Sequence, residues 1–208
     1  MKLPEPLQPS EALISGYLER WGQLENYRLQ ESSLSLLFNE LCPESKSIEH
    51  ILLKVSTLND FYSTNIFDTY SVARHILDTN VDSRLEARDY SLVNDIARVT
   101  IKGKVRNFYS FASKYCSHHK PESFPIYDSF VETMLLHYQS VNRFSEFKKD
   151  DIKTYQRFVE IIRGFQTYYR LGMFSLREID IFLWLAGKEY FPRNYKRRIT
   201  RRLTQIAN

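Results

Sequence analysis

Apolar residues recur at helical spacing along most of the chain, and this pattern restricts the fold more than any single motif does. Ile51, Leu52, Val55, Leu58 and Tyr62 share one helix face, as do Phe158, Ile161, Ile162, Phe165 and Tyr169 further on. Similar stripes run through Val105, Phe108, Tyr109, Ala112 and Cys116, and through Phe130, Val131, Met134, Leu135 and Tyr138. Helix-start signals agree: Ser10-Glu11, Ser45 to Ser47 before Ile48, Asp150-Asp151, and Ser175 with Glu178 in capping-box spacing. Sustained alternation and Asn-Gly or Asp-Gly hairpin turns are missing, so a sizeable sheet is not expected. The pattern predicts an all-α chain of roughly nine or ten helices.

With 208 residues, 43% of them hydrophobic, the chain is long enough to bury a substantial core. No repeat, low-complexity linker or Pro/Gly-rich boundary divides it, which predicts one helical domain over 1–208, built as one body or two packed lobes. Residues 1–9, with three prolines and no periodicity, read as an irregular arm. Apolar runs such as Ile181 to Ala186 are far shorter than the roughly 20 residues of a bilayer span, and the start lacks signal-peptide character. A soluble, cytoplasmic protein without membrane association is expected. Cys42 and Cys116 lack metal-ligand or disulfide-framework spacing and read as buried thiols.

The net charge of +4 is unevenly spread: residues 188–208 hold seven Lys or Arg against one Glu, leaving 22 basic against 24 acidic side chains before them. Lys196, Arg197, Arg198, Arg201 and Arg202 would neutralise phosphates, which makes nucleic acid a reasonable partner. Solvation of a basic helix end accounts for the same cluster.

The segment from Lys102 to Tyr138 offers the best setting for chemistry. A helix expected from about Gly103 to Tyr115 would carry Arg106, Asn107, Ser110, Ser113 and Lys114 on a polar face, suited to a cleft or simply to solvent. Asp128 follows Pro125-Ile126-Tyr127 and precedes an apolar-periodic run, the position of an N-cap. Capping does not preclude catalysis, because a carboxylate oriented by amide hydrogen bonds can stabilise a developing sugar cation or position water. His118-His119 has no partner motif at ligand spacing, so no metal or other cofactor is expected. The segment from Leu58 to Ile66 gathers Asn59, Tyr62 and Asn65 at a helix end, as a capped turn or a pocket rim.

Taken in order, three segments resemble the helix-hairpin-helix superfamily of DNA glycosylases: Asn59 to Asn65 with the helix after it, Lys102 to Val131, and Ile179 to Phe191 with Trp184 and Gly187. The resemblance implies two helical lobes with a base pocket between them, double-stranded DNA bearing a modified base as partner, and Asp128 as the catalytic carboxylate. It assigns Ser110 or Asn107 to placing the nucleotide and Asn59, Tyr62 and Asn65 to the pocket. Lys102, Gly103, Lys104, Arg106, Lys114, Arg197, Arg198, Arg201 and Arg202 are its DNA contacts. The chain departs from the family at the hairpin, where Ile101-Lys102-Gly103-Lys104 has one glycine rather than a Gly-x-Gly pair. Where bifunctional members carry a lysine nucleophile, Asn107 or Ser110 stands here, with Lys104 and Lys114 to either side. The resemblance therefore implies a monofunctional, hydrolytic DNA glycosylase; a non-catalytic DNA-binding or protein-interaction module is the alternative.

Overall fold

The computed structural model describes residues 5–192, which form ten α-helices and one two-stranded antiparallel sheet. In chain order they are α1 (Glu11–Gly22), α2 (Glu25–Leu36), α3 (Ile48–Tyr62), α4 (Thr69–Leu77), α5 (Val81–Glu86), α6 (Ser91–Ala97), β1 (Arg98–Ile101), β2 (Lys104–Asn107), α7 (Tyr109–His119), α8 (Ser129–Asn142), α9 (Tyr155–Tyr168) and α10 (Leu176–Tyr190). A π-helical turn, Leu37–Leu41, ends α2, and a 3-10 turn, Lys149–Lys153, precedes α9. The predominance of helix agrees with the apolar periodicity. So do the starts: Ser10 caps α1, Asp128 caps α8, and Ser175 forms a reciprocal capping box with Glu178 at α10.

The hairpin is a local departure from the expected all-α pattern, which the rest of the described residues follow. The helix foreseen from Gly103 begins only at Tyr109, and Arg106 and Asn107 lie on β2, paired with Val99 and Arg98. Lys102 and Gly103 have φ of 49° and 73°, so both central residues of the two-residue turn are left-handed, the geometry that matches the twist of paired strands. The hairpin leads directly into α7, with Phe108 N donating to Ala97 O at 2.8 Å.

Helix α10 packs against α8 and α1, while α7 packs against α6 and α3, and α3 against α4. Helices α10 and α8 approach closely at Gly187, where an added Cβ would lie 2.7 Å from Phe130 Cβ and 3.0 Å from Phe130 O. Both thiols are buried, Cys42 beside the end of the π-helical turn and Cys116 within α7. Of the arm, Leu7 O accepts a hydrogen bond from Tyr138 Oη at 2.8 Å, which ties it to α8. Among the described residues, no helix is long and apolar enough to cross a membrane. Arg197, Arg198, Arg201 and Arg202 lie outside the described residues.

Candidate functional site

A cavity of about 200 Å³ opens between helices contributed from both ends of the described chain. Trp21 comes from α1, Tyr27 and Glu31 from α2, and Tyr62 from the last turn of α3; Lys114 comes from α7, Asp128 from the start of α8, and Arg177, Asp180 and Trp184 from α10.

Asp128 divides its two oxygens between architecture and cavity. Its Oδ1 accepts from Phe130 N at 2.8 Å and so caps α8, and its Oδ2 stands 4.0 Å from Lys114 Nζ. The cap fixes the carboxylate's orientation, because one oxygen is held by the backbone donor that a helix start leaves free.

Lys114 is buried, and its ammonium is anchored by Ser110 Oγ at 2.6 Å and by the carbonyls of Ser110 and Tyr127, each at 3.4 Å. The amine lies 5.0 Å from the centroid of the Tyr62 ring. Burial lowers its pKa, an effect that the nearby carboxylates of Asp128 and Asp180 oppose. Ser113 accepts from Tyr127 N at 3.0 Å and binds the loop before Asp128 to α7. The approach of Lys114 to Asp128 is thus set jointly by Ser110 on α7 and by the Tyr127 carbonyl of the loop before Asp128.

Asp180 is the most unusual group in the wall. It is buried and ion-paired to Arg177, yet its Oδ1 has no hydrogen-bond partner, alone among buried side-chain nitrogen and oxygen atoms of the described residues. Burial pushes its pKa up to about 6, with the Arg177 and Lys114 charges restraining the rise. Unpartnered buried acceptors are rare because each forfeits its hydration, so one lining a cavity points to a donor supplied from outside the chain.

Arg177 also donates to Glu31 Oε1 at 2.6 Å, joining α10 to α2 across the cavity. Trp21 and Tyr27 stack at 5.5 Å, and Trp184 meets them edge-on at 6.0 and 5.2 Å. Behind the wall, the Tyr62 hydroxyl and His118 Nε2 share a hydrogen bond at 3.0 Å. Burial lowers the His118 pKa to about 3, so the ring is neutral. His119 also packs against Phe38, and its Nε2 lies 3.2 Å from the fully buried Lys54 amine.

Of the residues singled out from the sequence, Asp128, Lys114 and Tyr62 line the cavity, and Ser110 lies directly behind Lys114. Lys114 is buried there rather than turned to solvent. Asn107 is exposed on β2, with Lys102, Gly103, Lys104 and Arg106 likewise on the hairpin and away from the cavity wall. Asn59 folds its side chain onto Ile66, donating to Ile66 O at 3.0 Å and accepting from Ile66 N at 2.9 Å; Asn65 is exposed and donates to Ser63 O. Trp21, Tyr27, Glu31, Arg177 and Asp180 escaped sequence reasoning. Arg177, Asp180 and Trp184, spaced three and four apart, share a helix face and were the one signal open to it.

A family model named HI_0787_N and described as an N-terminal domain matches residues 13–123 of this chain. The chain belongs to the HI_0787_N family. It is 49% identical over 148 residues to an uncharacterized protein of Haemophilus influenzae, an alignment covering 71% of each chain. No solved structure matches. The segment matched by the HI_0787_N model carries Trp21, Tyr27, Glu31, Tyr62 and Lys114, whereas Asp128, Arg177, Asp180 and Trp184 follow it. The cavity is therefore completed by residues beyond the HI_0787_N match.

Proposed function

We propose that this protein is a DNA glycosylase that takes an everted, modified base into the aromatic-walled cavity and breaks its N-glycosidic bond. The observation that carries the reading is the 4.0 Å approach of the buried Lys114 amine to the Asp128 carboxylate at the cavity wall. A scissile bond inside a duplex is out of reach of buried groups, so the nucleotide has to leave the stack. Trp21, Tyr27 and Trp184 offer ring faces and edges to a base, and Asp180 Oδ1 offers an acceptor to a base N–H.

The amine at Lys114 alters the chemistry expected from the sequence, where water is the nucleophile. A lysine whose pKa is lowered by burial is the better nucleophile at neutral pH. In its neutral form the amine attacks the sugar C1′ as the bond to the base breaks with its electron pair, the proton shed by the nitrogen passes to the departing base, and Asp128 stabilises the cationic sugar as it develops. Opening of the sugar ring, with O4′ taking the remaining proton from the nitrogen, then gives an imine to Lys114, which water hydrolyses. Ser110 positions the amine.

The reading is tested on duplexes carrying a panel of modified bases. Wild-type protein releases free base, and borohydride traps a covalent protein–DNA adduct. Asp128→Asn lowers release by about a thousandfold while retaining DNA affinity, and Lys114→Gln abolishes trapping. Base release without trapping would restore the hydrolytic mechanism. Absence of release from every modified duplex, with binding intact, would leave a non-catalytic DNA-binding protein.

A further inference from the structure

A second recess, about 440 Å³ and widely open, runs between α4 and β1 and shares no lining residue with the aromatic cavity. Tyr70, Arg74, Arg98 and Thr100 contribute to it. Beside it the hairpin adds Lys102, Lys104 and Arg106, all exposed.

Among the described residues, none of Arg74, Arg98, Lys102, Lys104 and Arg106 forms an ion pair within 4.0 Å, whereas Arg84, Lys120, Lys149, Lys153, Arg157 and Arg177 all do. Asp68 accepts from the backbone N and hydroxyl of Ser71 at 3.0 and 2.8 Å, and its charge reaches Lys102 only beyond ion-pair distance.

Two aromatic rings accompany the cations. Phe67 is 96% exposed and Tyr70, three residues on, is 61% exposed. Leaving a Phe ring in water forfeits about 2 kcal/mol relative to burying it. Nor is Phe67 on a loose loop: Asn59 Oδ1 accepts from Thr64 Oγ1 and Ile66 N at 2.8 and 2.9 Å, Ile66 is buried on one side of Phe67, and Asp68 caps α4 on the other. The loop holds its ring outward by construction. Cations meet phosphates, and fixed exposed rings meet the faces of bases, which are available only where bases are unpaired.

We propose that the recess between α4 and the β-hairpin binds an unpaired stretch of nucleic acid, with Phe67 and Tyr70 stacking on bases and Arg74, Arg98 and Lys102 holding the phosphates. This binding is independent of chemistry in the aromatic cavity. Anionic membrane surfaces also attract aromatic and basic residues, but a vesicle offers no stacked bases for two fixed rings.

The test uses the full chain and a fluorescein-labelled oligothymidine of about 15 nucleotides, which carries no modified base and so reports nothing about base release. Phe67→Ala and Tyr70→Ala each weaken binding roughly tenfold. Arg74→Ala combined with Arg98→Ala lowers the slope of log affinity against log salt by about 1.4. Arg157→Ala, a cation outside the recess, changes neither, and the exposed substitutions leave the melting temperature in place. Unchanged oligothymidine affinity in both aromatic variants would overturn the proposal. So would tighter binding to phosphatidylserine vesicles that Phe67→Ala abolishes. Wild-type oligothymidine binding that Phe67→Ala and Tyr70→Ala weaken, in a protein that never releases a base, supports the recess and refutes the cavity reading; the converse result separates them the other way.

Discussion

Gly187 and Phe130 touch where α10 crosses the first turn of α8, with room for no side chain between them. The amide of Phe130 is the donor that holds Asp128 Oδ1, so the crossing that positions α8 also positions the carboxylate. Gly187→Ala would bring a Cβ within 3.0 Å of the Phe130 carbonyl, and backbone cannot yield as a flexible side-chain end does. The variant is expected to lose about 1–3 kcal/mol in denaturant unfolding. It also loses base release beyond what its folded fraction explains, measured below its unfolding midpoint.

Asp180→Asn separates stability from function. The folded carboxyl titrates near 6, against about 3.9 in an unfolded chain. Burial thus penalises its charged form. The penalty is absent below about pH 4, grows as pH rises toward 6, and is fully present above that. An amide carries no such penalty and still accepts from Arg177. Asp180→Asn is therefore expected to be more stable than wild type by about 1–3 kcal/mol at pH 8, with the difference vanishing near pH 3.5. Base release falls in the same variant, because the acceptor facing the cavity is weakened. Equal stability at both pH values would refute the assignment.

His118 has the opposite sign. Its folded pKa, near 3, lies below the ordinary value of 6.5, so the unfolded chain takes up the proton first. Stability present above pH 6.5 is lost as pH falls toward 3, by about 5 kcal/mol at most, since each tenfold change in proton affinity is worth about 1.4 kcal/mol. His118→Gln keeps a hydrogen-bonding group for the Tyr62 hydroxyl but does not titrate. Urea unfolding at pH 7 and pH 5 is expected to show a smaller acid loss for the variant than for wild type.

Helical content and helix starts were legible because each rests on local chemistry. Ser10, Asp128 and Ser175 cap the helices that follow them. The hairpin was less so: Lys102-Gly103 lacks the usual Asn-Gly or Asp-Gly chemistry, and Val105 and Phe108 fit a helical stripe although a strand places Val105 outward, 67% exposed. The cavity was half legible. Asp128 is marked by its local turn, but the burial of Lys114 depends on α10 and α3, distant in sequence, closing over a face that looks polar from its own helix. The orphaned oxygen of Asp180 had no local signal, since being unpartnered is a property of the assembled wall.

Ser110 acts through Lys114. Its hydroxyl accepts from Lys114 Nζ at 2.6 Å and donates to Tyr127 O at 3.2 Å, so it links the amine to the loop that presents Asp128. Ser110→Ala removes that link without changing charge and leaves the carbonyls of Ser110 and Tyr127 to hold the amine. The ammonium loses one acceptor, and the neutral amine becomes easier to form but less well aimed. Single-turnover base release is expected to fall about tenfold with little change in substrate affinity. The rising limb of its pH profile should move to lower pH. Ser110→Thr, which keeps the hydroxyl, should recover most of the rate. A rate loss with an unmoved pH profile, unrescued by threonine, would mean that Ser110 serves packing rather than the amine.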